Sequence, residues 1–181
     1  MSRLSISSIL LIAACVISAI YSVGLKAHLL NREDAGATLR RGEAAPGFEL
    51  SRLDGTRMEL GQVAGESKVV LVNFWATWCQ PCRIEMPQLE KIYAEYHPRG
   101  LEILAISGED EETIAAFLED KGYSYPILVD PGGAVGLLYG VEAIPTTVLV
   151  NSQGHITRVQ TGLNPILERQ IERLMAEGAQ R

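Results

Sequence analysis

The chain has 181 residues, of which 47% are hydrophobic and 21% are charged, and its 16 basic and 22 acidic side chains give a net charge of -6. This composition is that of a globular domain, and it excludes a disordered chain, a collagen-like repeat and a dense disulfide scaffold. The excess of acidic side chains gives no indication of a basic surface that would bind a nucleic acid. We expect one domain, in which the three cysteines allow at most one intramolecular disulfide.

An uncharged segment occupies residues 4–25. A helix of about 22 residues spans enough hydrocarbon to cross a bilayer. Arg3 precedes the segment, so the positive-inside bias predicts a cytoplasmic N-terminus at residues 1–3 and an exported remainder. A cleaved signal peptide and a lipoprotein signal with Cys15 in its lipidation box are the alternatives. We favour an uncleaved transmembrane anchor because apolar sequence continues beyond Cys15, and all three interpretations export the rest of the chain.

Residues 26–41 are polar and charged without apolar periodicity, which predicts a tether. The folded domain is then expected at residues 42–181. It begins with a predicted β-hairpin over residues 47–60, turning at Asp54 and Gly55 and forming one edge of a sheet. The continuous β-branched and aromatic run at residues 69–74 predicts a central strand that is covered on both faces.

Helices and strands alternate through the remainder of the chain. The patterns predict a long helix after the buried strand, with apolar periodicity beyond Cys82 and a stop at 97–100. They then predict, in order, a strand at 101–106, a helix from an Asp110 cap to Gly122, a strand at 127–129, a short helix to Tyr139, strands at 146–150 and from Ile156, and an amphipathic final helix with Ile166, Leu167, Ile171, Leu174 and Met175 on one stripe. This alternation predicts an α/β domain with a mixed sheet.

The motif that carries chemistry is the segment at residues 75–82, with the sequence WATWCQPC, between the buried strand and the long helix. Two cysteines separated by two residues can cycle between dithiol and disulfide. Cys79 falls at the helix N-terminus, where free N–H groups favour a thiolate, so we expect it to be the nucleophile and Cys82 the resolving thiol. Cys79 would attack a partner disulfide and Cys82 would release the reduced partner, with no cofactor required.

Other roles for the cysteine pair remain open. Structural zinc needs four ligands, and the other candidates are Cys15 and the dispersed histidines His28, His97 and His155. A fixed structural disulfide in a redox-inert adaptor is possible, although so short a loop removes little unfolded-state entropy. Copper(I) binding by the two thiolates is also reasonable chemistry, with Met86 as the one nearby supporting residue.

The segments around the cysteines resemble the thioredoxin superfamily, and within it the membrane-anchored TlpA/ResA-like thiol-disulfide oxidoreductases. The resemblance covers about residues 42–181 and rests on APGF at 45–48, LDG at 53–55, VNFWATWCQPC at 72–82, EMP at 85–87 and IPTT at 144–147. It implies a thioredoxin-like fold with a mixed central sheet flanked by helices, an N-terminal β-hairpin and a preceding transmembrane helix. It also implies that Pro145 is a cis-proline that faces the disulfide and, with Ile144, helps to hold an extended partner segment.

Further side chains near the cysteines bear on mechanism. Asn73 stands where thioredoxins carry a titratable aspartate, and the resemblance implies that Glu85 is the acidic residue near the active site. One turn beyond Cys82, Glu85 would modulate the protonation of that thiol. Trp78 would form an apolar lip in the docking surface with Gln80 and Pro81. No charge lies between the thiols, which favours a moderately reducing potential and hence a reductase.

The sequence therefore predicts an extracytoplasmic protein-disulfide reductase anchored in the bacterial cytoplasmic membrane, with its catalytic domain facing the periplasm or cell exterior. The resemblance makes apocytochrome c before haem attachment the leading substrate and copper-site assembly proteins the next. A reductase in an oxidising compartment needs electrons, so a transmembrane thiol donor of the DsbD/CcdA type is implied as a partner. A copper(I)-binding module and a redox-inert adaptor are the rival functions.

Overall fold

Seven strands form one mixed sheet in the computed structural model, which describes residues 39–178. The strand order is β2-β1-β5-β4-β3-β6-β7. β3 pairs in parallel with β4, and β4 with β5, whereas the other neighbours are antiparallel. The prediction of an α/β domain with a mixed sheet is therefore confirmed. The strands are β1 Glu49–Arg52, β2 Arg57–Glu59, β3 Val69–Trp75, β4 Leu101–Ser107, β5 Ile127–Val129, β6 Thr146–Asn151 and β7 Ile156–Thr161.

Helices cover both faces of this sheet. They are α1 Leu60–Glu66, α2 Gln80–Tyr96, α3 Glu111–Leu118, α4 Ala134–Leu138 and α5 Leu167–Gly178, with a 3₁₀ turn at His97–Arg99. Side chains of α2, α3 and α5 pack into the core on one face, and those of α1 and α4 into the core on the other. β3 lies between the two cores and is buried along its whole length, as its unbroken apolar run predicts.

The hairpin β1–β2 forms one edge of the sheet, with Leu50 opposite Met58, so this prediction is confirmed. The long helix α2 stops where expected, because Gly100 follows the 3₁₀ turn at a φ of 105°, a conformation that glycine adopts without strain. Asp110 caps α3 by accepting a hydrogen bond from the Thr113 N–H at 2.8 Å, which confirms the predicted start of that helix.

Two predicted details of the helices are wrong. α3 ends at Leu118 rather than at Gly122, because the Lys121 N–H closes a turn on the Leu118 carbonyl and Gly122 has a left-handed φ of 64°. α5 begins at Leu167, because the backbone N–H of Ile166 belongs to the preceding turn around Asn164. The side chain of Ile166 is 50% exposed. The buried stripe of α5 therefore starts one residue later than predicted.

The predicted anchor at residues 4–25 lies outside the described residues, as does the predicted tether up to residue 38. Between residues 39 and 178, no helix is both long and apolar enough to cross a membrane.

Candidate active site

Cys79 and Cys82 form a disulfide at the junction between β3 and α2. Their Cα atoms are 5.3 Å apart, and both residues are buried, with 4% and 1% exposed surface respectively. The predicted pairing of these two cysteines is confirmed. The buried strand ends at Trp75 and a turn at 76–79 delivers the chain into the helix, so the cysteines occupy the carboxyl-terminal edge of the sheet.

Cys79 is the N-cap residue of α2, as the sequence predicts. Its sulfur accepts a hydrogen bond from the Cys82 N–H at 3.2 Å, and its carbonyl accepts one from the Arg83 N–H at 3.1 Å. Pro81 lies in the first turn, where the missing N–H costs no helical bond. The position of Cys79 at the helix N-terminus is the one from which the sequence predicts it to act as the nucleophile.

A buried polar contact joins three elements behind the cysteines. Asn73 in β3 donates one Nδ2 hydrogen bond to Glu85 Oε2 in α2 at 3.0 Å and another to Thr147 Oγ1 in β6 at 3.1 Å. All three residues are buried. Glu85 lies one helical turn beyond Cys82, so its carboxyl group faces the same core as that cysteine.

The environment of Glu85 shifts its protonation equilibrium. Burial raises the pKa of the Glu85 carboxyl above its ordinary value, while the hydrogen bond from Asn73 acts in the opposite direction. The other carboxyl oxygen, Oε1, is buried without a hydrogen-bond partner. Burial prevails because one donor compensates for only part of the lost hydration of a carboxylate. With 3% of its surface exposed, Glu85 is not a solvated glutamate on the helix surface.

Pro145 immediately precedes β6, and the Ile144–Pro145 peptide bond is cis, as the family resemblance implies. Thr146, the next residue, pairs with Phe74 near the end of β3. The proline therefore lies at the same sheet edge as the cysteine pair. It is buried, whereas Ile144 is partly exposed and open to contact with a partner.

An apolar groove of about 550 Å³ runs beside the cysteine-bearing turn. Trp78 and Leu137, which are 73% and 67% exposed, lie along it together with Ile144. Trp75, in contrast, is 2% exposed and belongs to the core. Gln80 and Pro81 are exposed at the start of α2. Among the predicted substrate-binding residues, the structure thus exposes Trp78, Gln80 and Pro81, partly exposes Ile144 and buries Pro145.

Glu109 holds the turn that carries the cysteines, a contact that was not predicted from the sequence. Its carboxylate accepts hydrogen bonds from the Thr77 N–H at 2.6 Å, the Thr77 hydroxyl at 2.7 Å and the Ser107 hydroxyl at 3.1 Å. A signal was available, because Glu109 follows the end of β4, and the carboxyl ends of neighbouring parallel strands meet at one edge of a sheet. Thr147, the second acceptor of Asn73, carried no comparable signal.

Asp130 orders the far side of the groove. It is buried, and its Oδ2 accepts hydrogen bonds from the N–H groups of Val135 and Gly136 at 2.9 and 3.1 Å. These bonds fix the start of α4, the short helix that carries Leu137. Within residues 39–178, no group of three or more histidine, cysteine or acidic side chains is placed to hold a metal ion.

The site thus combines a disulfide at a helix N-terminus, an exposed apolar lip and a buried carboxyl group one turn behind the second cysteine. Such an arrangement can accept an electron pair from an incoming thiolate and can pass it on through a mixed disulfide.

Comparison with known proteins places this arrangement in a family. Residues 41–159 match the model of the AhpC/TSA family. The thiol-disulfide oxidoreductase ResA of Halalkalibacterium halodurans is 40% identical over 161 residues, which cover 88% of this chain and 89% of that protein. ResA of Bacillus subtilis is 36% identical over 126 residues, which cover 69% of each.

A solved structure of a thiol:disulfide interchange protein from a Bacteroides species is also similar. It superimposes with a TM-score of 0.68 at 26% identity and covers 76% of this chain and 91% of that one. The fold is therefore thioredoxin-like, as expected from the resemblance. The chain belongs to the AhpC/TSA family and, within it, is a ResA-like thiol-disulfide oxidoreductase.

Proposed function

We propose that the protein is a membrane-tethered reductase of specific disulfides in exported proteins. The observation that carries the proposal is the Cys79–Cys82 disulfide at the N-terminus of α2, with Cys79 as the capping residue. The uncharged segment at residues 4–25 and the charged residues after it support the anchor and the tether. The proposed location is the bacterial cytoplasmic membrane, with the domain on the periplasmic or outer side.

The proposed cycle starts from the disulfide. A thiolate of the electron donor attacks the sulfur of Cys79, and Cys82 leaves as a thiol after taking up a proton. A second donor thiol then attacks the donor sulfur of this mixed disulfide and releases Cys79, so both cysteines are thiols and the donor is a disulfide. The Cys79 thiolate then attacks the substrate disulfide, and one substrate sulfur leaves as a thiol after taking up a proton. Cys82 attacks the mixed disulfide at Cys79, so the second substrate thiol leaves and the enzyme disulfide is restored.

Glu85 has a supporting role in this cycle. Because burial raises its pKa, its carboxyl group can hold a proton one turn from Cys82 at a pH where a solvated glutamate is ionised. We infer that it modulates the loss of the Cys82 proton before that thiol attacks the mixed disulfide. Asn73 cannot titrate, so its role is to orient the carboxyl group through the 3.0 Å hydrogen bond.

We infer a reducing direction from the residues that surround the thiols. Gln80 and Pro81 place neither a cation nor a histidine between the cysteines, so the thiolate has no charged partner within the motif. Oxidising enzymes of this superfamily owe their potential to a strongly stabilised reduced form. The absence of such a partner favours a more reducing potential.

A reductase outside the cytoplasm needs a supply of electrons. We infer a transmembrane thiol donor of the DsbD/CcdA type, since soluble dithiols do not persist in an oxidising compartment. Apocytochrome c, whose two haem-binding cysteines must be reduced before attachment, is the leading substrate class. Copper-site assembly proteins, whose cysteines must also be reduced to bind metal, come next.

The potential of the cysteine pair tests the proposal. We expect equilibration with glutathione redox buffers to give a two-electron midpoint of about -200 to -300 mV, and the transition to be lost in Cys79→Ser. A disulfide that stays oxidised far below that range would indicate a redox-inert adaptor. Tight copper(I) binding without disulfide turnover would instead favour the copper module.

Substrate identity requires trapping in membranes. In Cys82→Ser the mixed disulfide at Cys79 cannot be resolved, so substrates accumulate as covalent adducts that mass spectrometry identifies. Cys79→Ser is the matched control, because it retains one thiol of the pair but not the nucleophile. Capture of apocytochrome c by Cys82→Ser alone is expected, and equal capture by both variants would contradict the assigned order of attack.

A further inference from the structure

Four arginines line a groove of about 340 Å³ between β7 and α5, far from the cysteine pair. They come from three separate parts of the chain: Arg41 before the hairpin, Arg158 in β7, and Arg169 and Arg173 in α5. All four are exposed. None of them takes part in the ion pairs that form within residues 39–178. This convergence occurs in a chain whose net charge is -6.

The charges of α5 are segregated by face. Glu168 and Glu172 lie on the side of Tyr96, whose hydroxyl donates to them at 3.4 and 2.8 Å. Arg169 and Arg173, one residue further along in each turn, line the groove instead. One carboxylate, that of Glu177, also lines it. The helix therefore directs its arginines at the groove and keeps two of its glutamates away from it.

Apolar surface adjoins these charges. Ile166, at the edge of the groove, is 50% exposed, and Leu174 is partly exposed in its wall. Guanidinium groups beside exposed aliphatic side chains are typical of a surface that lies at a lipid headgroup layer. A site for a small free anion would not need the exposed isoleucine.

The groove lies where the chain enters the domain. The Gly42 N–H donates to the Ile156 carbonyl at 2.7 Å, so Arg41 is fixed beside the start of β7. The start of β7 pairs with the end of β6, which in turn pairs with the start of β3. The cysteines follow the other end of β3. The arginines and the active site therefore occupy opposite ends of the sheet.

We infer that this groove docks on the anionic phospholipid headgroups of the membrane that the N-terminal segment enters. The segment at residues 4–25 ends only 16 positions before Arg41, so the groove is within reach of the surface where a transmembrane helix emerges. The inference rests on the proposed anchor for this proximity. Docking holds the groove on the lipid and turns the cysteine pair away from it, towards soluble partners.

Labelling of arginine in the full-length chain tests the inference. The protein is reconstituted in nanodiscs of phosphatidylcholine alone or with phosphatidylglycerol, and mass spectrometry follows the rate at which phenylglyoxal modifies Arg41 and Arg158, with Arg57 as an internal reference. We expect phosphatidylglycerol to slow the labelling of Arg41 and Arg158 but not of Arg57. Sodium chloride at high concentration should reverse the effect, because salt screens exposed charges.

Variants assign the effect to the groove. Each arginine near an anionic surface raises the ratio of docked to free domains about fivefold. The double variant Arg169→Gln with Arg173→Gln should therefore lower this ratio on the order of 30-fold. Labelling of Arg41 and Arg158 should then approach its rate in phosphatidylcholine. Arg57→Gln with Lys121→Gln removes the same charge elsewhere and should leave the protection unchanged. Arg41→Gln with Arg158→Gln, read at Arg169 and Arg173, repeats the test with other elements.

The remaining outcomes overturn the inference. Protection by inorganic phosphate in phosphatidylcholine nanodiscs would indicate a site for free anions. Equal protection in both lipids would indicate an occupant from the chain itself, and protection only on addition of an acidic protein would indicate a protein partner. Whether the full-length chain stays in phosphatidylcholine nanodiscs tests the proposed anchor independently of the groove. If the chain is not retained, the same comparison is made with added vesicles of the two compositions.

Discussion

Glu85 is an acidic group held inside the core by a single hydrogen bond. Its Oε2 accepts from Asn73, whereas its Oε1 is buried without a partner, so the ionised form loses hydration that the protein does not replace. The raised pKa follows from this imbalance. Carboxyl groups perturbed in this way cluster at functional sites, so Glu85 is a candidate for a functional role.

The pH dependence of stability should reveal this carboxyl group. Between its ordinary pKa of 4.5 and its raised pKa in the folded protein, the folded state binds more protons than the unfolded state. Stability therefore falls as pH rises through this window, by at most about 1.4 kcal/mol per pH unit. Urea denaturation of the oxidised protein should show this loss in the wild type and in the exposed control Glu95→Gln, but not in Glu85→Gln. Parallel pH profiles for the wild type and Glu85→Gln would contradict it.

Alkylation of Cys82 gives a second test of the role of Glu85. In a Cys79→Ser background, Cys82 alkylation rises with pH as the thiol ionises. Above its raised pKa, Glu85 carries a negative charge one turn from Cys82. Replacing it by glutamine removes that charge, so the midpoint of the alkylation profile should move to lower pH, on the order of one pH unit. Glu95→Gln on an exposed part of the same helix should leave the midpoint in place. An unmoved midpoint in Glu85→Gln would remove its proposed role.

Among the elements, the turn between β3 and α2 depends on a contact from β4. The β3–β4 pairing places the ends of these parallel strands side by side, and Glu109 crosses from one to the other to bind Thr77. A turn that presents a reactive disulfide is thus fixed by a residue 32 positions away in sequence. Pre-organisation of this kind keeps the helix N-terminus aimed at the sulfur of Cys79.

Removal of this contact should destabilise the protein measurably. Glu109→Ala leaves the Thr77 N–H without an acceptor, and we expect a loss of about 1–3 kcal/mol in the free energy of unfolding. The exposed control Glu119→Ala should remain within about 0.5 kcal/mol of the wild type. A double-mutant cycle with Thr77→Val should give a coupling energy above about 0.5 kcal/mol. Full additivity of the two substitutions would show that the residues do not interact energetically.

The order of the elements was predictable because apolar periodicity changes clearly along the chain. The buried run of β3 and the capping aspartate of α3 each carry a local signal. The C-terminal end of α3 and the start of α5 were not predicted correctly, because the exact boundary residue in each case depends on hydrogen bonds of a turn, at Lys121 and at Asn164. Local signals therefore give the type of an element more reliably than its end.

The molecule as a whole has a hydrophobic core on each face of the sheet. Leu104 in β4 is fully buried in the core that α1 and α4 cover. Leu104→Ala should lower the free energy of unfolding by about 2–5 kcal/mol, because the central strands cannot close the cavity. Leu137→Ala makes the same chemical change at a residue that is 67% exposed, and its effect should stay within about 0.5 kcal/mol. Similar losses in the two variants, measured by urea denaturation, would contradict this distribution of the core.

Contacts between distant parts of the chain set the limit of prediction at this scale. The sequence indicated the cysteine pair, because both residues lie within one motif. It did not indicate that Asn73 would contact both Glu85 and Thr147, the latter 74 positions after Asn73, or that arginines from three segments would meet in one groove. Such contacts follow from strand order and register, which periodicity alone does not specify.

The burial of Cys79 has a consequence for which thiols the protein exchanges with. Only 4% of the surface of Cys79 is exposed, so we expect a freely diffusing thiol to meet its sulfur in few of its collisions with the protein. A chain that settles on the exposed face of Trp78 gains apolar contact while it approaches the sulfur. We therefore expect a polypeptide that binds at Trp78 to exchange with the cysteine pair faster than a small thiol, which gains no such contact and reaches equilibrium with the pair slowly.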